Sequence, residues 1–239
     1  MLKIEETLIF AILPLLHGIN HVAVGASSPI PAAAAMLKRK QSKGQLRVSI
    51  LGDANRHTFT DGGRELFDLA GQGRIDAFFL SGGQIDGEAN VNLVGIGEYP
   101  NMSFRFPGSF GSAYLYYVVP RVILFREEHT TRVFVDEVDF ISAAGSVKPH
   151  IYRTGGPYAL VTGRCVMMFN NEKKQFVLSS VHTGETVESV QENTGFEFIC
   201  PSNVLETPIP SKELLSCLRG PVATELSVTY PAFAKRVFD

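Results

Sequence analysis

The segment Gly73–Ala113 reads GRIDAFFLSGGQIDGEANVNLVGIGEYPNMSFRFPGSFGSA and decides the predicted fold. Its apolar run Ala77–Leu80 stops at a Ser-Gly-Gly turn, and the β-compatible segment Ser103–Phe106 stops at the small-residue loop Pro107–Ser112. Two strands that each end in a small-residue loop predict an open α/β sheet with a ligand at its carboxyl edge. Simple tight turns are the alternative interpretation of each glycine-containing loop.

The composition is that of a folded protein with no specialised class. Of 239 residues, 45% are hydrophobic and 19% are charged, and the formal net charge of −2 argues against a dedicated nucleic-acid binder. The three cysteines show no CxxC or His/Cys ligand spacing, so neither a disulfide framework nor a zinc site is expected. We predict a cytoplasmic protein with a single domain over residues 1–239.

The apolar N-terminal segment resembles an export signal only superficially. The residues before it are net acidic, whereas a signal peptide has a positively charged start. The apolar run is also interrupted by Pro14, His17, Asn20 and His21, which leaves it too short for a membrane span. We therefore predict neither a signal nor a membrane segment, and a first helix over residues 4–18.

Short apolar runs and helix-like segments alternate over the first two thirds of the chain. The predicted strands are His21–Gly25, Leu46–Leu51, Ala77–Leu80, Ser103–Phe106, Val122–Phe125 and Val133–Phe134, and the predicted helices are Ala32–Lys40, Arg64–Leu69 and Ser112–Val118. The basic run Lys38–Lys43 is typical of a solvated helix end, with a phosphate or nucleic-acid patch as the alternative.

The last third of the sequence has a different pattern. Tyr158–Phe169 and Gln175–Val181 flank a turn-like polar segment and predict a β-hairpin. Thr186 is expected to cap a short helix, Val187–Asn193. A last helix near Ser211–Leu218 and an irregular tail complete the predicted fold, an open and mostly parallel sheet with flanking helices, a C-terminal hairpin and short helices.

Five separate segments match one family in the same order along the chain. They are VAVGASSPIPAAAAML (22–37), FFLSGGQIDGEANVN (78–92), FRFPGSFGSA (104–113), RVFVDEVDFISAAG (132–145) and VQENTGF (190–196). Together they resemble the β subunit of the glutaconate-type, or class I, CoA-transferases. VQENTGF and the GGQID…N.N block are the most specific parts of this resemblance.

The resemblance implies an open α/β fold whose active site is shared with a related α subunit. It implies an enzyme that moves CoA between carboxylic acids through a thioester on a carboxylate nucleophile of the β subunit. Acyl-CoA and a carboxylic acid are then the substrates, and no metal or redox cofactor is implied because CoA enters as part of the substrate. Neither a nucleic acid nor a membrane is expected as a partner.

The nucleophile position departs from the family pattern. The resemblance aligns Asp53 with the family's glutamate, and aspartate is one methylene shorter. A nucleophile displaced by about 1 Å can cost on the order of a hundredfold in rate. The departure leaves open a hydrolase, a ring-cleaving or decarboxylating relative, or a non-catalytic CoA-binding subunit. An Asp53 that merely caps a turn is also open.

The resemblance also implies which loop residues bind the acyl group or CoA: Gly82, Gly83, Gln84, Asp86, Gly108, Ser109 and Gly111. Backbone N–H groups around Ser109 can face a thioester oxyanion or the CoA phosphates. Asp86, with Asn90 and Asn92, can instead satisfy backbone groups of its own loop. Arg56 and His57 are weaker candidates for contact with a substrate carboxylate, because loop residues of these types are usually solvated.

Overall fold

Helices and strands alternate in the computed structural model, which describes residues 2–53, 59, 61–148 and 150–238. The helices are α1 (Ile4–Ile12), α2 (Pro29–Gln41), α3 (Gly62–Gly71), α4 (Ser112–Val118), α5 (Val187–Glu192), α6 (Lys212–Cys217), α7 (Ala223–Thr229) and α8 (Pro231–Phe238), with a 3-10 turn at Leu13–Leu16 and a π-helical turn at Leu218–Val222. Within the described part of the chain, no helix is both long and apolar enough to cross a membrane.

The longer strands are those that the apolar runs predict. The strands are β1 (His21–Val24), β2 (Arg47–Ile50), β3 (Ala77–Leu80), β4 (Gln84–Ile85), β5 (Val91–Asn92), β6 (Gly95–Ile96), β7 (Phe104–Arg105), β8 (Arg121–Arg126), β9 (Pro157–Thr162), β10 (Cys165–Asn170), β11 (Gln175–Val181) and β12 (Leu205–Glu206). The chain forms two compact units, Met1–Phe79 with Pro208–Asp239, and Leu80–Thr207. The single domain over residues 1–239 stays a prediction.

The first unit contains a parallel sheet covered by helices. Strand β1 pairs in parallel with β2, with Val22 opposite Val48, and also with β3, with Val22 opposite Ala77. Helix α2 begins at Pro29, the position where proline's missing N–H costs nothing. The four alanines 32–35 are completely buried, and their small side chains let the helix lie close to its neighbours.

The C-terminal tail is helical, so the prediction of an irregular tail is wrong. Helices α6, α7 and α8 follow one another almost without interruption, and long-range polar contacts tie them to α1. The Arg219 guanidinium donates to both carboxylate oxygens of the buried Glu6, at 2.6 and 2.9 Å. Lys3 donates through Nζ to the Val237 carbonyl at 2.7 Å, and Arg236 pairs with Glu5. Helix α1 itself is shorter than the predicted 4–18.

The second unit contains parallel and antiparallel pairs. Strand β8 pairs in parallel with β9, which continues through antiparallel β10 and β11 to a parallel β12. The hairpin of β10 and β11 is confirmed, with Asn170 opposite Gln175 and Asn170 Oδ1 accepting from two backbone N–H groups of the turn. The segment predicted as one strand, Tyr158–Phe169, is two strands that reverse at Gly163.

Two predicted sheet strands are corrected by the structure. The segment Ser103–Phe106 forms only the two-residue β7, which pairs in antiparallel with β6 and leaves Phe104 58% exposed. Phe134 makes an isolated bridge to Ile85, so Val133–Phe134 is not a strand. The parallel pairing of β1 with β2 and β3, and of β8 with β9, confirms the α/β class with a mostly parallel sheet and flanking helices.

Candidate active site

The Gly82–Gly83 turn follows β3, as the sequence predicts, but its glycines serve close packing. A Cβ on Gly83 would overlap the Phe106 ring, and a Cβ on Gly82 would meet the Val91 side chain. The Gly83 backbone N–H donates to the Asn92 carbonyl at 2.9 Å. Because that N–H is already used, what Gly83 contributes is the absence of a side chain beside Phe106.

The Gln84 side chain is buried and bonded within its own loop region. Its Oε1 accepts from Asn92 Nδ2 at 2.7 Å and from the Asp139 backbone N–H at 3.1 Å. Asn92 in turn accepts through Oδ1 from the backbone N–H groups of Val94 and Gly95. The side-chain oxygen of Gln84 therefore positions this loop. A role of Gln84 in substrate binding stays a prediction.

Asp86 is 4% exposed and organises the next part of the same loop. Its Oδ1 accepts from the backbone N–H groups of Glu88 and Asn90, and its Oδ2 accepts from Asn90 Nδ2 at 3.0 Å. Burial raises the pKa of the Asp86 carboxyl above its ordinary value, although these donors act in the opposite direction. These bonds are the ones expected from the alternative in which Asp86 satisfies groups of its own loop, and a role of Asp86 in binding substrate stays a prediction.

The second candidate loop is more exposed. Gly108 and Gly111 adopt left-handed backbone conformations with φ of +99° and +83°, which glycine reaches without strain. Gly111 caps α4, and the Ser109 carbonyl accepts from the Ser112 N–H at 2.8 Å. The contact between Gly83 and Phe106, the residue before Pro107, joins the two candidate loops within one unit.

A cleft of about 590 Å³ opens beside Asp86 in the second unit. Its lining includes Glu88, Asp136, Glu137 and Glu197 with Asp86, and the cations Lys173 and Lys174. Five carboxylates against two ammonium groups make a net negative surface, and the phosphates of CoA are anionic. This cleft is therefore a poor place for CoA.

Asp53, the predicted nucleophile, lies just beyond the carboxyl end of β2 in the first unit. Gly52 turns the chain there with φ +84°, and the Asp53 N–H donates to the Ile50 carbonyl at 3.3 Å. The side chain is 1% exposed in this chain. The turn at Gly52 thus places the Asp53 carboxylate where little water reaches it. A charge in such a position acts more strongly than in water.

Tyr230, which the sequence analysis missed, lies in the same unit as Asp53. Tyr230 connects α7 to α8, and its hydroxyl oxygen is buried. Burial raises the pKa of Tyr230, the Ser28 backbone N–H lowers it, and the negative charge of Asp53 raises it further. We call Ser28, Asp53 and Tyr230 the Asp53 cluster. A tyrosine in a segment predicted to be irregular carries no local signal of this placement.

Two of the weaker sequence candidates, Arg56 and His57, lie outside the described residues. Within the described residues, no group of three or more His, Cys, Asp or Glu side chains is arranged to hold a metal ion.

A second polar group, also missed from the sequence, occupies the interior of the second unit. We call it the His129 network: His129, Thr162, Cys165, Ser180, His182, Thr194 and Thr207. His129 bonds through Nδ1 to Thr162 Oγ1 at 2.7 Å and through Nε2 to Thr194 Oγ1 at 2.9 Å. His182 bonds through Nδ1 to Thr207 Oγ1 at 2.8 Å and through Nε2 to the Thr162 carbonyl at 2.9 Å.

Donor counting fixes the protonation of both histidines. Thr194 donates its only hydroxyl proton to the Val190 carbonyl at 2.7 Å, so His129 Nε2–H must donate to Thr194 and Nδ1 must accept. A carbonyl can only accept, so His182 also carries its proton on Nε2. Burial lowers the pKa of His129 to about 4 and lowers that of His182, and both rings are neutral at pH 7.

Comparison with known proteins agrees with this architecture. The family model for coenzyme A transferase matches residues 1–193. The chain is 34% identical over 155 residues to the B subunit of 3-oxoadipate CoA-transferase from Pseudomonas knackmussii, covering 62% of this chain and 59% of that protein. It is 30% identical over 141 residues to the B subunit of glutaconate CoA-transferase from Acidaminococcus fermentans, covering 56% and 52%.

A third relative is named for a different activity. The chain is 29% identical over 163 residues to the cholesterol ring-cleaving hydrolase IpdB subunit of Rhodococcus jostii, covering 65% of this chain and 62% of that protein. The chain thus spans less than two thirds of the length of each of these relatives. The crystal structure of Rhodococcus jostii IpdAB matches the fold with a TM-score of 0.82 at 23% identity, over 100% of this chain and 99% of that chain.

The match to the family model covers most of the sequence. The chain belongs to the coenzyme A transferase family.

Proposed function

We propose that this chain is the B-type subunit of a two-subunit CoA-transferase that acts on acyl-CoA thioesters of carboxylic or dicarboxylic acids. The observation that carries the proposal is the buried Asp53 beyond the carboxyl end of β2, in a chain of this family. Two relatives named as the B subunits of CoA-transferases support both the reaction class and a homologous α-type partner. We propose a cytoplasmic location.

In the proposed reaction the Asp53 carboxylate attacks the carbonyl carbon of the acyl-CoA thioester. A C–O bond forms, the carbonyl π electrons move to oxygen, and collapse breaks the C–S bond to release CoA thiolate and leave a mixed anhydride. The thiolate then attacks the Asp53 carbonyl carbon, which releases the first carboxylate and leaves an aspartyl-CoA thioester. A second carboxylate reverses these steps, so no net proton and no further cofactor is needed.

Hydrolysis of the thioester is the second candidate, because Asp53 replaces the glutamate expected from the resemblance and one relative, named a ring-cleaving hydrolase subunit, belongs to a class of enzyme that uses water as a reactant. In that case water rather than a second carboxylate takes up the acyl group. The two reactions differ in their acceptor, so one assay separates them.

The test uses the complex of this chain with its α-type partner. Glutaconyl-CoA is the donor, and free 3-oxoadipate is present or absent as acceptor. Acceptor-dependent CoA exchange supports the transferase, and acceptor-independent release of free CoA supports the hydrolase. Hydroxylamine added during turnover converts an aspartyl thioester to a hydroxamate, which peptide mass spectrometry locates at Asp53.

Two variants complete the test. Asp53→Asn is expected to lower turnover by about a thousandfold or more, since an amide is not a nucleophile. Asp61→Asn removes a carboxylate from an exposed position before α3 and is expected to keep wild-type turnover. Unchanged turnover in Asp53→Asn would contradict nucleophilic catalysis by Asp53 and would make this a CoA-binding subunit whose partner performs the chemistry.

A further inference from the structure

A basic cavity of about 360 Å³ lies at the C-terminal end of α2, in the first unit. Its lining consists of Arg39, Lys40, Lys43, Gly44 and Glu225. This volume is at the lower end of the range for small-molecule sites. The sequence left two interpretations of the basic run Lys38–Lys43, a solvated helix end and a phosphate patch. The cavity favours the second, because three of these cations line one concave space.

The charges around the cavity do not cancel. Lys40 Nζ pairs at 2.6 Å with the Glu225 carboxylate on α7, so the charge of Lys40 is compensated. Arg39 and Lys43 form no ion pair with any residue that the structure describes. Two uncompensated cations on one cavity wall repel each other. A phosphate monoester, with a charge of roughly −1.5 to −2 at pH 7, would balance both.

The backbone at the end of α2 is arranged so that its carbonyls do not oppose an anion. The Gly44 N–H donates to the Arg39 carbonyl at 2.9 Å, and the Lys43 N–H donates to the Lys40 carbonyl at 3.1 Å. These are the bonds of a Schellman motif, and they use carbonyls at the negative end of the helix dipole. Lys43 occupies the left-handed position of the motif with φ +52°, where glycine is usual. A lysine at this unfavourable position carries its charge on the cavity wall.

The cavity is separate from the proposed acyl-CoA site. Helix α2 connects the parallel strands β1 and β2, so its C-terminal end lies at the amino edge of that sheet. Asp53 follows the carboxyl end of β2, at the opposite edge. We propose that the cavity is a second ligand site, which binds a phosphate group through Arg39 and Lys43 while Glu225 holds Lys40 beside them. The Arg39 guanidinium supplies paired donors for phosphate oxygens, and Lys43 supplies a point charge.

Calorimetric titration of inorganic phosphate into the complex with the α-type partner, at constant ionic strength, tests this proposal. Arg39→Gln and Lys43→Gln are each expected to weaken binding by about tenfold or more, because each removes a charged contact to phosphate. Lys38→Gln is the matched control. It removes a cation from the same helix end, but Lys38 does not line the cavity, and affinity should change by less than about twofold.

Lys43→Gly keeps the proposal falsifiable, because glycine adopts the left-handed position without strain. This variant should unfold no more easily than wild type in urea and should still lose about tenfold in phosphate affinity. Absence of phosphate binding in the wild-type complex would overturn the proposal. An equal loss in Lys38→Gln and Lys43→Gln would also overturn it, and would assign the effect to the diffuse charge of a solvated helix end.

ADP as a second probe distinguishes the source of the phosphate group. Tighter binding of ADP than of inorganic phosphate, lost in Lys43→Gly, would support the site with a nucleotide-type ligand. Equal binding of the two probes, again lost in Lys43→Gly, would support the site with free phosphate as its ligand. ADP and phosphate binding that Lys43→Gly leaves intact would place the anion elsewhere in the complex and contradict the proposal.

Discussion

The Asp53 cluster and the His129 network use buried polar groups in opposite ways. In the network each histidine nitrogen has a hydrogen-bond partner of defined direction. In the cluster a buried hydroxyl lacks an acceptor among the described residues and lies within the influence of a buried carboxylate. A satisfied network stabilises a fold, whereas an unsatisfied buried group lowers its stability.

VQENTGF, one of the two most specific parts of the resemblance, makes contacts like those of the His129 network. Thr194 Oγ1 accepts a hydrogen bond from His129 Nε2–H, and the ring centroids of Phe196 and Phe176 are 5.7 Å apart. Gly195 N–H donates to the Phe134 carbonyl at 2.8 Å. In this chain the motif therefore contributes hydrogen bonds and ring packing to the second unit.

The largest effect is expected for Gly195→Ala. A Cβ at this position would overlap the Phe134 carbonyl oxygen, a backbone atom that cannot move aside cheaply. We expect the free energy of unfolding to fall by about 3 kcal/mol, measured by urea denaturation. Gly220→Ala is the control, because a Cβ there meets nothing within 4 Å. Equal losses in both variants would contradict a special role for the motif glycine.

Acid is expected to weaken the His129 network next. Burial, with the nearby Arg164 charge, lowers the pKa of His129 from 6.5 to about 4, so the unfolded chain binds a proton that the folded chain does not. The stabilisation is fully present above pH 6.5 and is lost as the pH falls towards 4, by about 3 kcal/mol. Urea denaturation at pH values across this window measures the loss.

His129→Gln is the control for this pH dependence. Its amide can donate and accept as the neutral ring does, but it does not titrate. The variant should show a visibly shallower fall in stability between pH 6.5 and 4. A slope identical to that of the wild type would assign the acid sensitivity to other groups, such as His182.

Thr162→Val is expected to have a smaller effect. The Thr162 hydroxyl donates to His129 Nδ1 and accepts from the backbone N–H groups of Arg164 and Cys165, each at 3.2 Å. Valine leaves these buried groups without a partner, and we expect a loss of about 2 kcal/mol in the free energy of unfolding. Thr162→Ser keeps the hydroxyl and should recover most of that loss, as urea denaturation can show. A serine variant no better than valine would mean that the methyl group matters instead.

The sequence predicts those features that depend on neighbours along the chain. The apolar run Ala77–Leu80 and the helix Ser112–Val118 have the predicted bounds, because local periodicity and caps define them. The tail is mistaken for irregular structure because its helices are held by distant partners, such as Glu6 for Arg219. A pattern of neighbouring residues cannot show an ion pair between residues so far apart in the sequence.

The same limit applies to the candidate site. Asp53 can be found because a resemblance aligns it, and its burial agrees with a position after a parallel strand. Gln84 and Asp86 can be located on their loop, but only the contacts show that their oxygens bind that loop. Tyr230 is separated from Asp53 by most of the chain, so its relation to the carboxylate exists only after folding.

The smallest change in stability is expected for Tyr230→Phe. This variant tests most directly whether the Asp53 cluster and the His129 network differ in their hydrogen bonding. Tyr230→Phe and Thr162→Val each delete one buried hydroxyl oxygen, but only the Thr162 oxygen has defined partners. Removing an unpaired hydroxyl loses no hydrogen bond and relieves a desolvation cost, so the free energy of unfolding should stay within about 0.5 kcal/mol of wild type or rise. Urea denaturation of the two variants side by side measures the difference. A loss in Tyr230→Phe as large as that in Thr162→Val would show that the hydroxyl has a structural partner in solution. The Asp53 cluster would then be a satisfied network like that of His129.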